Sequence, residues 1–389
     1  MNLRGNWSYP TAIRFGAGRI AELPEACRSL GMTRPLLVTD AGLAKLPMVA
    51  AAIESCRAAG LECGLFGGIR PNPVGSDIEA GVAAYRTGRH DGVVAFGGGS
   101  GLDAAKAVAL MVGQTRPMFD FEDREAWSDR VDTSGMAPVV AVPTTSGTGS
   151  EVGRASVITD ESDHTKKIIF HPKMMPAIVI ADPELTLGLP PKITAAVGMD
   201  ALSHSLESFC SPLYHPIAQG VALESIRLVK DWLPVAVRDG SDIAARSHMM
   251  AASSMGAIAF QKGLGAMHSL AHPCGAIFDT HHGMTIAVVM PYVLAFNRPA
   301  IEDRMAALAR YLDLLNPSFQ AVLDWVLQLR AEIGIPASLD ALGIGLDTVA
   351  RLAPMAARDP SCGGNPRPLD EATLAGLYEN AITGRLQVS

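Results

Sequence analysis

The sequence has few aromatic or charged residues. It also lacks the long basic or apolar runs that mark nucleic-acid-binding and membrane proteins. Aromatic residues make up 5% and charged residues 18% of the 389 positions, whereas apolar residues reach 48%. This balance excludes a disordered chain over most of the length. With 32 Lys and Arg against 39 Asp and Glu, the net charge is -7 and no long basic run occurs. Nucleic acid is therefore not expected as a partner.

Cysteine pairs and membrane segments are missing as well. The six cysteines are scattered, with no CxxC pair and no dense spacing, which indicates reduced thiols. No apolar run reaches the roughly 18 residues that a membrane span needs, and residues 1–10 lack the apolar core of a secretory signal. We expect a cytoplasmic protein without a membrane partner.

The spacing of apolar residues changes midway along the chain. Short β-branched runs at residues 36–39, 93–96, 139–142 and 178–180 alternate with helical patterns and predict buried parallel strands. Beyond about residue 183, apolar residues recur only at helical spacing. The sequence predicts an α/β domain with a parallel, Rossmann-like sheet at residues 1–185, followed by an all-α domain at residues 186–389.

Two loops that follow predicted strands carry glycines and hydroxyl groups. The first, Gly97-Gly98-Gly99-Ser100, leads into a helix whose first N–H groups and dipole favour an anion. The second, residues 143–151, contains five hydroxyl side chains that can bind phosphate or ribose. Either loop alone is compatible with an ordinary turn. Because both leave the carboxyl ends of strands, where open α/β sheets bind ligands, together they indicate a nucleotide site.

A competing glycine motif lies closer to the start of the chain. Residues 16–21 fit G-x-G-x-x-A, and Asp40 ends a strand 22 residues after Gly18. The spacing does not decide between this turn and the two later loops. Asp40 serves both interpretations, because its carboxylate can accept from a ribose 2′-hydroxyl and repel a 2′-phosphate, which favours NAD over NADP. A helix N-cap is the structural alternative for Asp40.

Histidines and one aspartate form a metal-binding pattern in the helical half. Asp200 and His204 are four residues apart and share a helix face, and His268 and His272 repeat that spacing. A further pair, His281 and His282, follows at a loop-like break. A buried carboxylate with several imidazoles is costly without a cation, so we expect Fe²⁺ or Zn²⁺ here. The sequence does not choose between the two ions.

Taken together and in this order, these motifs resemble the iron-containing (group III) alcohol dehydrogenases, within the dehydroquinate synthase-like superfamily. The resemblance extends from residues 9–18 through residues 71–73 to residues 365–367. It implies a dinucleotide-binding domain, a helical domain, and a cofactor and metal in the cleft between them. It also implies that the pyrophosphate lies on the later glycine loop, so that residues 16–21 form only a turn.

The resemblance also carries site residues onto this chain. The implied metal ligands are Asp200, His204, His268 and His282, with His272 as a neighbour suited to proton relay. The family ligand directly precedes a glycine, which selects His282, although the adjacent His281 leaves room for a shift by one residue. The implied cofactor contacts are Asp40, Asn72, Gly97, Gly98, Gly99, Ser100, Asp103, Thr144, Thr145, Thr148 and Lys166.

We therefore expect reversible oxidation of a small alcohol to an aldehyde or ketone with NAD⁺, in which the metal polarises the substrate oxygen. The alternatives are a maleylacetate reductase, for which Arg367 is a candidate carboxylate-binding cation, a glycerol dehydrogenase, a dehydroquinate synthase type, and a non-catalytic dinucleotide-binding protein with a structural metal. The resemblance further suggests at least a homodimer, with the strand at residues 11–15 as a candidate contact.

Overall fold

The structure of the protein is a computed structural model that describes residues 11–387. The chain divides between Gly188 and Leu189 into two compact units. We call residues 11–188 the α/β unit and residues 189–387 the helical unit.

The α/β unit is built on a parallel sheet. The strands of this unit are β1 (Ala12–Phe15), β2 (Pro35–Asp40), β3 (Gly64–Ile69), β4 (Gly92–Gly97), β5 (Val139–Pro143), β6 (Ala155–Asp160), β7 (Thr165–Phe170) and β8 (Ile178–Ala181). Six of them form one sheet in the order β1-β8-β5-β4-β2-β3, and each neighbouring pair is parallel. The four strands predicted from β-branched runs are confirmed as β2, β4, β5 and β8.

Helices cover this sheet because its strands are apolar on both faces. They are α1 (Leu23–Ser29), α2 (Pro47–Ala58), α3 (Gly75–Thr87) and α4 (Gly99–Met111). All six residues of β4 and all five of β5 are buried. Such continuous apolar strands are stable only between two helical layers, since burial of each large aliphatic side chain contributes about 1.5–3 kcal/mol.

A two-stranded antiparallel hairpin of β6 and β7 stands apart from the main sheet and was not predicted. Lys167 binds Asp160 and Asp163 across its turn, at 2.5 and 3.2 Å, and His164 in the turn has a φ of 55°. The hairpin also contacts the segment before α3, because the N–H of Thr159 donates to the carbonyl of Pro73 (2.9 Å). This contact holds the hairpin, and with it the side chains of β7, beside the segment before α3.

The helical unit contains eight α-helices among the described residues. They are α5 (Pro191–Cys210), α6 (Pro216–Arg238), α7 (Ile243–Ala259), α8 (Ala266–Phe278), α9 (His282–Tyr311), α10 (Phe319–Glu332), α11 (Val349–Ala357) and α12 (Glu371–Thr383). The predicted combination of a parallel α/β half with a helical second half is confirmed.

The long helix α9 forms the centre of this unit. By length and composition it is apolar enough to cross a membrane, but 78% of its most apolar window is buried inside the chain. Fully buried side chains such as Ile286, Val289 and Val293 join a large hydrophobic core of this unit. We interpret α9 as a core helix.

Candidate functional site

The order of the sheet defines a switch point between β2 and β4. From β2 the chain continues to β3 at one edge, whereas β4 lies on the other side of β2 and is followed outward by β5. In such open α/β sheets, ligands bind beyond the carboxyl ends of the two strands at the switch. Asp40 ends β2 and Gly97 ends β4. The topology therefore places two predicted cofactor residues at the position where a nucleotide is expected.

The two glycine-containing loops are in direct contact. Gly97 has a φ of 152°, a backbone conformation that residues other than glycine rarely adopt. Gly99 is the first residue of α4. A Cβ atom on Gly99 would lie 2.6 Å from Cγ2 of Thr148, and one on Gly98 would lie 3.1 Å from Cγ2 of Thr145. The backbone N–H of Thr144 donates to the carbonyl of Gly97 (2.9 Å). Glycine at these positions lets the two loops meet at the N-terminus of α4.

Three further predicted residues lie around a neighbouring loop. The hydroxyl of Ser100 donates to the carbonyl of Pro71, and Nζ of Lys166 donates to Oδ1 of Asn72 (3.0 Å). Loop 71–72 thus joins the start of α4 and the hairpin strand β7. The Oδ1 atom of Asp40 accepts from the backbone N–H groups of Gly42 (2.9 Å) and Leu43 (2.8 Å). This carboxylate therefore also caps the turn after β2.

Asp103 takes part in what we call the loop brace, formed by Asp103, Lys106 and Ser150. Nζ of Lys106 lies 3.1 Å from Oδ1 of Asp103 and donates to the carbonyl of Ser150 (2.9 Å). The Ser150 hydroxyl also donates to Asp103, whose Oδ2 accepts from the N–H of Val157 (2.9 Å). The Asp103 carboxylate thus connects α4 to the end of the second loop.

The competing glycine turn at residues 16–21 already holds a carboxylate. Asp182 is fully buried, and its two oxygens accept from the N–H groups of Gly18 (3.2 Å), Ile20 (2.8 Å) and Glu184 (3.0 Å). An anionic side chain therefore occupies the N–H groups that a pyrophosphate would need. This geometry favours the later glycine loop as the phosphate site.

Three of the four predicted metal ligands form a buried cluster in the helical unit. One ligand atom from each of Asp200, His204 and His268 lies within 4.8 Å of the others. The first two project from α5 and the third from α8. His282, the first residue of α9, places Nε2 3.6 Å from Oδ1 of Asp200. Three helices thus bring all four predicted side chains together.

The chemistry of the cluster fits a divalent transition metal. Oδ1 of Asp200 and Nε2 of His268 are buried and have no hydrogen-bond partner. Leaving such atoms unsatisfied costs about 1–3 kcal/mol each, a cost that coordination removes. One carboxylate with imidazole nitrogens is a donor set suited to iron or zinc. The residues present therefore fit the expected ion.

The geometry favours His282 over His281 as the ligand from α9. His281 is exposed and forms the N-cap position of the helix. A Cβ atom on Gly283 would lie 2.3 Å from the carbonyl oxygen of Ala196 on α5, so glycine is required for the close approach of these helices. That approach sets His282 beside Asp200.

Two carboxylates next to the histidines were not anticipated from the sequence. Oε2 of Glu207 lies 2.6 Å from Nδ1 of His268, and Oδ2 of Asp359 lies 2.7 Å from Nδ1 of His272. Glu207 had a local signal, since it lies seven residues after Asp200 on the same helix. Asp359 is 87 residues from its partner and had none.

These carboxylates and their histidines influence each other's charge. Burial alone would lower the pKa of His268, but the carboxylates of Glu207 and Asp200 outweigh it and raise that pKa. Burial would raise the pKa of Asp359, but His272 and the hydroxyl and N–H of Ser361 lower it to about 2. Asp359 is therefore ionised at neutral pH, and its partner ring is held in one orientation.

Comparison with known proteins agrees with this geometry. Residues 10–183 match the family model described as iron-containing alcohol dehydrogenase, and residues 194–382 match that of the C-terminal domain of the Fe-containing alcohol dehydrogenase family. The chain is 38% identical over 384 residues to 4-hydroxybutyrate dehydrogenase of Cupriavidus necator, covering 96% of this chain and 99% of that protein.

Solved structures share the whole fold. A crystal structure of 1,3-propanediol oxidoreductase superposes with a TM-score of 0.92 at 33% identity, covering 97% of this chain and 99% of that one. Sulfoacetaldehyde reductase from Bifidobacterium kashiwanohense, solved in complex with NAD⁺, gives a TM-score of 0.88 at 29% identity, covering 98% and 99%. A parallel sheet with a glycine loop at its switch point, combined with a buried Asp/His cluster, is typical of enzymes that use both a metal ion and a dinucleotide. Within that class, the chain belongs to the iron-containing alcohol dehydrogenase family.

Proposed function

We propose that this protein interconverts a small alcohol and its aldehyde or ketone by hydride transfer to and from NAD. The observation that carries the proposal is the buried Asp200, His204 and His268 cluster, whose donor atoms are arranged for a metal in a chain of this family. The glycine loop at the switch point supplies the matching feature for the cofactor.

Four side chains would hold the metal: Asp200, His204, His268 and His282. Bound there, Fe²⁺ or Zn²⁺ would supply Lewis acidity toward the oxygen of the alcohol or carbonyl group. The protein would supply the orientation of these donors, which come from three helices packed in one core. A preorganised donor set of this kind keeps its geometry during the reaction.

His272 is suited to receive the proton that alcohol oxidation releases. Its Nδ1 is engaged by Asp359 (2.7 Å), which leaves Nε2 as the atom that accepts or returns the proton. Its side chain is 12% exposed, so water can reach it. His272→Ala is expected to lower the rate across the range from about pH 6 to about pH 9. Unchanged activity across that range would contradict the relay role.

The position of Asp40 favours NAD over NADP. Its Oδ1 atom is used by the turn after β2, and a second oxygen remains for a ribose hydroxyl. A phosphate at that hydroxyl would meet a carboxylate at close range, which costs free energy. The NAD⁺ complex of the related sulfoacetaldehyde reductase supports the same choice.

Short aliphatic alcohols, diols and hydroxy acids are the proposed substrates. The relatives named above act, by their names, on 4-hydroxybutyrate and 1,3-propanediol. A maleylacetate reductase activity is not favoured, because the proposed carboxylate-binding cation Arg367 is otherwise engaged. Its guanidinium lies 4.0 Å from the ring centre of Phe296 and donates to the carbonyl of that residue.

The proposal is tested by anaerobic formation of NADH. The protein is stripped of metal, reloaded with Fe²⁺, with Zn²⁺ or with nothing, and assayed with NAD⁺ or NADP⁺ against short alcohols, diols and hydroxy acids. We expect metal-dependent reduction of NAD⁺ in preference to NADP⁺. Stoichiometric metal and NAD⁺ binding without turnover of any alcohol would contradict the catalytic proposal and favour a structural metal.

A homodimer is also proposed. Strand β1 lies at an edge of the sheet, and its Ile13 and Phe15 side chains are 37% and 42% exposed. An exposed apolar edge strand is able to pair with a second copy. Light scattering is expected to give the mass of two or more chains, and the mass of one chain would contradict this proposal.

A further inference from the structure

We infer that Glu207 is a positioning residue for the metal centre, which holds the His268 ring with Nε2 as its coordinating atom. The inference deepens the proposed function and depends on that function only for the presence of a metal.

The contact between the two side chains determines which nitrogen of the ring is available to a metal. Oε2 of Glu207 and Nδ1 of His268 are 2.6 Å apart, and both residues are buried. This contact occupies Nδ1 and fixes the orientation of the ring. The other ring nitrogen, Nε2, is buried without a hydrogen-bond partner and is therefore the atom available to a metal.

The second oxygen of Glu207 fixes the backbone that carries this ring. Oε1 accepts from the N–H of Met267 (2.7 Å), in the first turn of α8. Such N–H groups have no partner within the helix, and a carboxylate there is also favoured by the helix dipole. Glu207 thus restrains both the ring of His268 and the residue before it.

The positions of residues along α5 connect Glu207 to the metal ligands. Asp200, His204 and Glu207 occupy one face of α5, so this helix carries two ligands together with the group that orients a third. A carboxylate that bonds to the outer nitrogen of a histidine ligand typically changes metal affinity about 10- to 100-fold.

A purely structural role for Glu207 would be to cap α8. That role has a control in Asn365, whose Oδ1 accepts from the neighbouring N–H of Ala266 (3.2 Å). The other hydrogen bonds of this side chain go to Asn297 and to the carbonyl of Arg367, and none goes to His268. Asn365→Ala therefore weakens the start of α8 without freeing the ring. A loss of metal affinity confined to the Glu207 variants would separate positioning from capping.

The test uses Glu207→Gln, which keeps the size of the side chain but removes its charge and one of its two acceptors. Metal-free protein is titrated with Co²⁺, and the visible absorption of the bound ion and its competition with a chelator are measured. We expect the dissociation constant to rise about 10- to 100-fold and the absorption bands to change. The melting temperature of the metal-free variant should fall no further than that of Asn365→Ala.

Glu207→Asp provides the second variant. It restores the charge on a shorter side chain and is expected to recover part of the affinity, which a capping role alone would not predict. Wild-type Co²⁺ affinity and absorption in Glu207→Gln, or an equal loss of affinity in Asn365→Ala, would overturn the inference. These titrations contain neither alcohol nor NAD, so a failure of the dehydrogenase proposal would appear separately, as bound metal without turnover.

Discussion

The loop brace of Asp103, Lys106 and Ser150 makes a quantitative prediction about how the nucleotide loops are held. The Lys106 side chain is 1% exposed and that of Asp103 is 15% exposed, and their charged atoms are 3.1 Å apart. The free energy of unfolding should therefore be sensitive to either charge. Lys106→Met keeps the aliphatic stem and removes the ammonium, whereas Asp103→Asn removes only the negative charge.

Each single variant removes the ionic partner of the other side chain, and of the two side chains Lys106 is buried and Asp103 partly buried. We expect each to lower the free energy of unfolding by about 3 kcal/mol, the lower end of values for breaking buried ion pairs. The double variant should lose at least about 1 kcal/mol less than the sum of the two, because residues in contact are energetically coupled. Ser150→Ala should cost about 1.5 kcal/mol, because it removes a hydrogen bond to a charged group.

Denaturant unfolding of the four variants measures these energies, and NADH titration measures their effect on the loops. We expect NADH affinity to fall in each variant, although Lys106 itself is buried beneath the loops. The reasoning about the brace is refuted if the single effects add without coupling. A change of NADH affinity in Asp103→Asn alone would show that Asp103 acts as the direct cofactor contact implied by the family resemblance and not through the brace.

Three further predictions concern the loops and the metal centre. Gly99→Ala places a Cβ atom 2.6 Å from Cγ2 of Thr148 and should weaken NADH binding at unchanged metal content, measured by fluorescence titration and metal analysis. His282→Ala should lose bound iron whereas His281→Ala keeps it, and equal iron in both variants would contradict the ligand assignment. Asp359 has a pKa of about 2 against an ordinary 3.8, so its stabilisation is present above about pH 4 and is lost as the pH falls toward 2. Melting temperatures at about pH 6 and pH 3 should therefore differ less in Asp359→Asn than in the wild type.

The main sheet was predictable because its central strands are short, continuous runs of apolar, mostly β-branched residues. Strand β3 was missed because Gly64, Gly67 and Gly68 dilute its apolar pattern. The hairpin was missed for another reason, since β7 carries Lys166 and Lys167 in succession. Such strands are held by contacts distant in sequence, including the bond of Thr159 to the segment before α3.

The metal ligands on α5 were predictable because a spacing of four residues places two side chains on one helix face. The resemblance to a family supplied the remaining selection, in particular His282 over His281. The pairing of His272 with Asp359 depends on how residue 359 packs against α8, and no local pattern encodes it. The loop brace is similar, because Asp103 meets Ser150 only after the second loop has folded onto α4.

The central claim is that a metal held by these four side chains supports alcohol oxidation linked to NAD. It is tested most directly by titrating metal-free protein anaerobically with Fe²⁺, while bound iron and alcohol-dependent NADH formation are measured on the same samples. The account predicts that the rate rises in proportion to bound iron and levels off at one ion per chain. A rate that is independent of bound iron, or that persists in His282→Ala after its iron is lost, would contradict it.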